Sequence, residues 1–210
     1  MYFAEYSDMA RVLILFAHPA FEKSRVQKAM VKQVLKVEGI TFHDLYEAYP
    51  DYDIDLDREQ ELLLQHDVIV FQHPFYWYSC PAILKQWQDL VLEHGWAYGR
   101  GGTKLSGKIL FNAITAGGRE DVYQASGYNR FTINQLLAPF EQTAHLCKMV
   151  YLPPFVLHDT HRMDPTSIEL GALKYKQVIE AFKNDKIFQK DLQNLKYLNE
   201  IITAPAELKN

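Results

Sequence analysis

The chain has 210 residues, 48% of them apolar and 23% charged, the balance of a globular protein large enough to bury one core without staples. Its formal charge of −4 supplies no basic field, which argues against nucleic acid as a principal partner. The two cysteines, Cys80 and Cys147, lack metal spacing and make no disulfide framework, so a reduced, cytoplasmic setting is expected; no run approaches the roughly 18 apolar residues of a membrane span.

The opening MYFAEYSDMA has no basic start followed by an apolar run, so residues 1–11 read as an extension and not as a secretory leader. Val12–Ala17 (VLILFA) reads as a strand buried on both faces. Ser24 can cap a helix from about Arg25 to Glu38, with Gly39 as its stop. Ile40–Asp44 is a weaker strand. Asp57 followed by Gln60 resembles a capping box that opens a helix through about His66. Val68–Phe71 is a short unbroken apolar run, again a buried strand. A loop, Pro74–Cys80, follows it, and Pro81 then suits the first turn of a helix carrying Ile83, Leu84, Trp87, Leu90 and Val91 at helical spacing. Lys108–Thr115 (KILFNAIT) is a fourth strand. Thr132–Cys147 is helical with an interruption at Pro139, which can start a helix but not continue one. Met149–Leu152 is a fifth strand ahead of Pro153-Pro154, and one or two amphipathic helices are expected from Thr166 onward. This β-α-β-α alternation predicts an α/β fold, a doubly wound parallel sheet of five strands with helices on both faces. The expected division is an extension over 1–11, the main domain over 12–185 and a helical tail over 186–210.

In such a sheet ligands sit outside the carboxyl ends of the strands, so three loops should share one crevice. The first, His18–Ser24 (HPAFEKS), runs into a helix N-terminus, where free N–H groups and the helix dipole favour a phosphate; the alternative is an ordinary capped turn. It lacks the glycines and the Lys-Ser/Thr pair of a Walker loop. The second loop carries four successive aromatics, Phe75, Tyr76, Trp77 and Tyr78, which either fill a core or wall a flat conjugated ligand. The third, Thr115–Gly118 (TAGG), puts two glycines after a strand, either a plain turn or a place where backbone approaches a ligand closely. A phosphate end, a stacking wall and an amide-rich wall are what a flavin mononucleotide (FMN) needs. FAD is the alternative, although the first loop shows no adenine site.

The segments AHPAFEKS, QHPFYWYSCPAILKQWQDLVL, HGWAYGRGGTKLSGK and TAGG resemble the flavodoxin-like NAD(P)H:quinone oxidoreductase family, most closely its bacterial ancillary proteins of glutathione-gated potassium efflux systems. The likeness runs from about Val12 to Phe155. It implies that His18, Ser24, Arg25, Val26 and Gln27 hold the flavin phosphate. Phe75, Tyr76, Trp77 and Tyr78 would wrap the ring and ribityl chain. Thr115, Ala116, Gly117 and Gly118 would meet the ring's polar edge, Ala116 through its backbone N–H. Hydride would pass from NAD(P)H to the flavin, and a quinone or related electrophile would then collect the reducing equivalents. Tyr123 and Asn129 stand where eukaryotic relatives have a Tyr and a His, so Tyr123 is the expected hydrogen-bond donor. Asn129 cannot relay a proton at neutral pH. The resemblance further implies a homodimer, cytoplasmic or peripheral on the inner face of the membrane through a potassium efflux transporter. A non-catalytic flavin-binding regulatory subunit of that transporter is the competing reading, and a stand-alone detoxifying reductase a third.

Other features carry weaker expectations. His158 and His161 lack a third ligand at metal spacing. Cys80 reads as a packed thiol near a helix start, a place that would lower its pKa. The acidic run Asp51–Asp57 reads as a solvated loop and helix start. Its pattern YPDxxIDxxxEQ recurs in the resembled family, which implies a structural or partner role. The aromatics of His94–Gly102 (HGWAYGRGG) have no evident core to enter, which suits an interface.

Overall fold

Side chains of a strand alternate between faces, so a strand that is apolar throughout must feed two cores. The computed structural model describes residues 9–184 and 192–202. Strands β1 (Val12–Phe16), β3 (Val68–Pro74) and β4 (Ile109–Thr115) are buried along their whole length. Leu13, Leu15, Ile69, Phe71, Leu110 and Ile114 enter one core with Leu63 of α3 (Leu56–Gln65), Trp87 of α4 (Ala82–Val91) and Phe140 of α6 (Ala138–Leu146). Val12, Ile14, Val68, Val70, Ile109 and Phe111 enter the other with Met30 of α1 (Arg25–Val34) and Tyr175 and Phe182 of α7 (Pro165–Lys183). Helices therefore cover both faces, as expected. Two short helices, α2 (Leu45–Ala48) and α5 (Ile133–Leu136), lie in the connections.

All strand pairs are parallel, in the order β2-β1-β3-β4-β5, with β2 spanning Ile40–Asp44. The fifth strand is split. Val150–Tyr151 (β5) and Phe155–Leu157 (β6) both pair with β4, and Pro153-Pro154 lie between them. Leu110 faces Tyr151 and Ala113 faces Phe155, so four steps on one strand match three on the other. Two prolines that cannot donate open a one-residue bulge there. Among the described residues there are thus five strands plus one continuation that a strand ending at Leu152 does not include.

Several boundaries move. α1 ends at Val34, four residues before Glu38, and Gly39 at φ +73° turns the chain into β2. α3 is capped by Asp55, whose carboxylate accepts the Arg58 N–H at 3.1 Å; Asp57 lies inside the first turn. Pro81 is the N-cap of α4, one place before its first turn. Leu137 separates α5 from α6, and Pro139 starts the second, as its fixed φ favours. Trp96 and Tyr98 are half-buried against the core under α3 and α4, a core for them that the sequence did not make evident.

α7 is one helix, capped by Asp164, whose carboxylate accepts the Ser167 N–H at 2.9 Å. Of the expected extension, residues 1–8 lie outside the described residues, and Arg11 pairs with Asp67 at 3.0 Å. Of the expected tail, 186–191 and 203–210 lie outside them. Asn199 packs onto the sheet edge, accepting the Val156 N–H and donating to the Val156 carbonyl, both at 2.9 Å.

Candidate functional site

The loops leaving β1, β3 and β4 meet over the carboxyl edge of the sheet and enclose an open cavity of about 830 Å³. That lies within the roughly 300–1,000 Å³ of small-molecule sites. The Phe75 N–H donates to the Thr115 carbonyl at 2.9 Å, tying the second loop to the third.

The first loop lines the cavity with His18, Ser24, Arg25 and Val26. Ser24 Oγ accepts the Gln27 N–H at 3.2 Å and so caps α1, which leaves the Arg25 and Val26 N–H groups of the first turn without intrahelical partners. His18 Nδ1 accepts the Ala20 N–H at 3.1 Å. Burial lowers the His18 pKa, which keeps the ring neutral at pH 7 and able to accept that bond. The Arg25 guanidinium donates to the Thr160 and His161 carbonyls at 3.4 and 3.3 Å.

The aromatic loop folds as a short 3-10 turn, Tyr76–Tyr78, with Trp77 at φ 50° and Tyr78 at φ 61°. Left-handed backbone at two aromatics is strained, and such strain collects at functional sites. Phe75 is buried beneath the turn, whereas Trp77 is 93% exposed at the cavity wall.

Across the cavity lie Thr115, Gly117, Gly118, Tyr123 and Asn129. A Cβ on Gly117 would come within 2.5 Å of His161 Nε2, and one on Gly118 within 3.0 Å of the Val122 and Tyr123 side chains. A side chain at either position would have to displace these neighbours. Tyr123 packs edge-on against Phe75, with ring centroids 6.0 Å apart, and tilts against His158 at 5.8 Å. Burial, then the neighbouring Tyr78, push the Tyr123 pKa up, so its hydroxyl keeps its proton. Tyr78 Oη donates to Asn129 Oδ1 at 3.3 Å, latching the second loop to the third.

Thirteen of the fifteen expected site residues line this cavity, and two do not. Gln27 is wholly buried beneath the floor; its backbone N–H is bonded to Ser24, and its amide donates to Thr115 Oγ1 at 3.2 Å. Ala116 is also wholly buried, and its N–H is consumed by the Leu157 carbonyl at 2.8 Å, so it has no donor to offer a ligand. The expected low pKa at Cys80 fails as well: burial outweighs the helix start and pushes the thiol up to about 11.

Sequence reading did not assign Thr160 and His161 to this site, yet both line the cavity. They follow β6, so they obey the same rule as the other three loops. Once the strand was stopped before Pro153-Pro154, HDTHR no longer looked like a loop after a strand.

A family model for the flavodoxin-like fold matches residues 10–179. The chain belongs to that family. In the flavodoxin-like order 2-1-3-4-5 the topological switch lies between β1 and β3, where this cavity opens. The chain is 44% identical over 169 residues to a glutathione-regulated potassium-efflux system ancillary protein KefG of Enterobacter sp. (strain 638), covering 80% of this chain and 92% of the relative. It is similar to the general stress protein 14 of Treponema denticola, solved in complex with FMN, at 38% identity and TM-score 0.77, covering 82% and 99% of the two chains. It is also similar to an NADPH-quinone reductase from P. pentosaceus, at 35% identity and TM-score 0.73, covering 80% and 96%.

Proposed function

We propose that this protein is an FMN-dependent NAD(P)H:quinone oxidoreductase that serves a glutathione-gated potassium/proton efflux transporter as its ancillary protein. One observation carries the reading: a helix start with unpartnered N–H groups, a strained aromatic turn and a glycine wall converge on a single cavity. The residues present fit FMN. No acceptor among the described residues takes the Gly117 N–H, and a side chain at 117 or 118 would close the wall.

Bound there, FMN supplies a two-electron carrier that takes hydride from NAD(P)H and gives the reducing equivalents to a quinone. The first turn of α1, with Ser24 and Arg25, holds the phosphate, as N–H groups and a cation at a helix start favour. The Phe75–Tyr78 turn excludes water from one face of the ring system. The Gly117 N–H and the Tyr123 hydroxyl donate where negative charge develops on the reduced ring. Asn129 holds the aromatic turn in place through Tyr78 and carries no proton. The catalytic domain takes in residues 12–185, and Asn199 beyond it packs on the sheet edge.

A second copy of the chain covers the open mouth, where Trp77 is 93% and Tyr128 88% exposed. We infer that association with the transporter is by surface docking from the cytoplasm; no helix among the described residues is long and apolar enough to cross a membrane. Relatives named as transporter ancillary proteins support that partnership.

The test is to purify the protein, identify the released flavin by mass, and follow anaerobic flavin reduction by NADH and by NADPH in stopped flow, then reoxidation by a quinone. Reduction by at least one nucleotide and quinone-dependent reoxidation are expected. Full FMN occupancy with no reduction by either nucleotide would sink the enzyme reading and leave a regulatory subunit.

A further inference from the structure

Under the cavity, four polar side chains from four elements form a continuous hydrogen-bonded chain. Tyr175 of α7 donates its hydroxyl to Gln72 Oε1 of β3 at 2.9 Å. Gln72 Nε2 donates to Gln27 Oε1 of α1 at 2.8 Å, and Gln27 Nε2 donates to Thr115 Oγ1, at the end of β4, at 3.2 Å. Tyr175, Gln72 and Gln27 are wholly buried, and Thr115 alone reaches the cavity. Apolar residues of the same volume would fill that space with no partner to find, whereas every member of a buried polar network must be satisfied.

The chain has a direction. Burial holds the Tyr175 pKa well above its ordinary value, so the phenol keeps its proton. Among the described residues Gln72 Oε1 is the acceptor that proton has, and turning the Gln72 amide over would leave it buried and unbonded. With Oε1 committed to Tyr175, Gln72 must present Nε2 to Gln27. Gln27 must then accept on Oε1 and present Nε2 to Thr115. The Thr115 oxygen therefore receives a hydrogen bond from the wire, and its own proton is left over.

We propose that Tyr175, Gln72 and Gln27 are positioning residues that make the Thr115 hydroxyl a one-way donor into the cavity, where it meets an acceptor oxygen or ring nitrogen of the bound flavin. The inference rests on the flavin reading above and deepens it. It gives a wholly buried residue of α7 a part in recognising a ligand on the far side of the sheet edge.

A double-mutant cycle tests it. Thr115→Val keeps the shape and removes the hydroxyl; Tyr175→Phe keeps the ring and releases the Gln72 amide to turn over. FMN dissociation constants are read from flavin fluorescence, with the visible spectrum of the bound flavin recorded and thermal melts checking that each variant is folded. Each single change is expected to weaken FMN by about three- to tenfold, the loss of one hydrogen bond, with the same band shift in both. The double variant should bind no worse than Thr115→Val alone. Losses that multiply, or a Tyr175→Phe variant with wild-type affinity and spectrum, would overturn the wire. Should Tyr175→Phe fail to fold, Gln27→Met removes the last link at similar length and goes through the same cycle with the same two outcomes. Wild-type protein that binds no FMN would overturn the flavin reading and this inference with it; tight wild-type binding with multiplying losses overturns the inference alone.

Discussion

At Gly117 the need for glycine comes from a side chain delivered by another strand. His161, carried in after β6, sits where any Cβ at 117 would go. Gly117→Val should therefore weaken FMN binding at least tenfold, about 1.4 kcal/mol, in a protein that still melts cooperatively. A fluorescence titration showing unchanged affinity in the folded variant would place the flavin elsewhere. The glycine pair, the Ser24 cap and the aromatic run were all legible in the sequence, because each is a local signal. What Ala116 and Gln27 do was not. Whether an N–H or an amide is free depends on what lies opposite, and Leu157 and Gln72 reach them from distant strands. The Tyr78–Asn129 hydrogen bond belongs to the same class: it fixes Asn129 as a latch between loops, which no spacing in the chain announces.

Between elements, Glu59 of α3 ties three neighbours together outside the site. It is wholly buried and accepts from His43 of β2 at 2.7 Å, from the Trp87 indole of α4 at 2.8 Å, and from the Tyr49 hydroxyl. The recurring pattern YPDxxIDxxxEQ thus has a physical basis. Tyr49 and Glu59 meet in this cluster, Ile54 enters the core, Asp55 caps α3, and Gln60 donates to the Val91 carbonyl at 3.1 Å. The sequence showed a charged helix start here, correctly for Asp55. It could not show that the Glu59 carboxylate, just beyond the acidic run, points inward, because His43 and Trp87 come from elements on either side. Burial pulls the Glu59 pKa up, but the hydrogen bonds from His43 and Tyr49 outweigh it and the carboxylate titrates below its ordinary value. A group depressed on folding adds stability above its unfolded pKa and loses it as pH falls through the folded one. Glu59→Gln should then cost about 2 kcal/mol near neutral pH, with the gap to wild type closing below about pH 4. Chemical denaturation of both proteins from pH 7 to pH 3 checks this. A gap that stays constant over that range would mean the carboxylate's charge is not what holds the cluster.

For the molecule as a whole, the fold class was legible because three buried strands and their covering helices are each strongly patterned. The surface was not. Trp96 and Tyr98 of the HGWAYGRGG segment pack against the core, while the two most exposed aromatics among the described residues, Trp77 and Tyr128, rim the cavity. Aromatics that exposed around a ligand site suit a second copy of the chain better than water. Light scattering of the flavin-loaded protein should return a dimer at micromolar concentration, and Trp77→Ser should shift it towards monomer. A wild-type monomer with flavin bound would count decisively against that assembly. The far edge of the sheet is finished differently. Asn199 lays its side-chain amide along Val156 and supplies both the donor and the acceptor that a neighbouring strand would offer. One side chain thus stands in for a whole strand. The pairing groups of Val156 are spoken for before another chain can template on them, which blunts this edge against the edge-to-edge pairing that leads to aggregation.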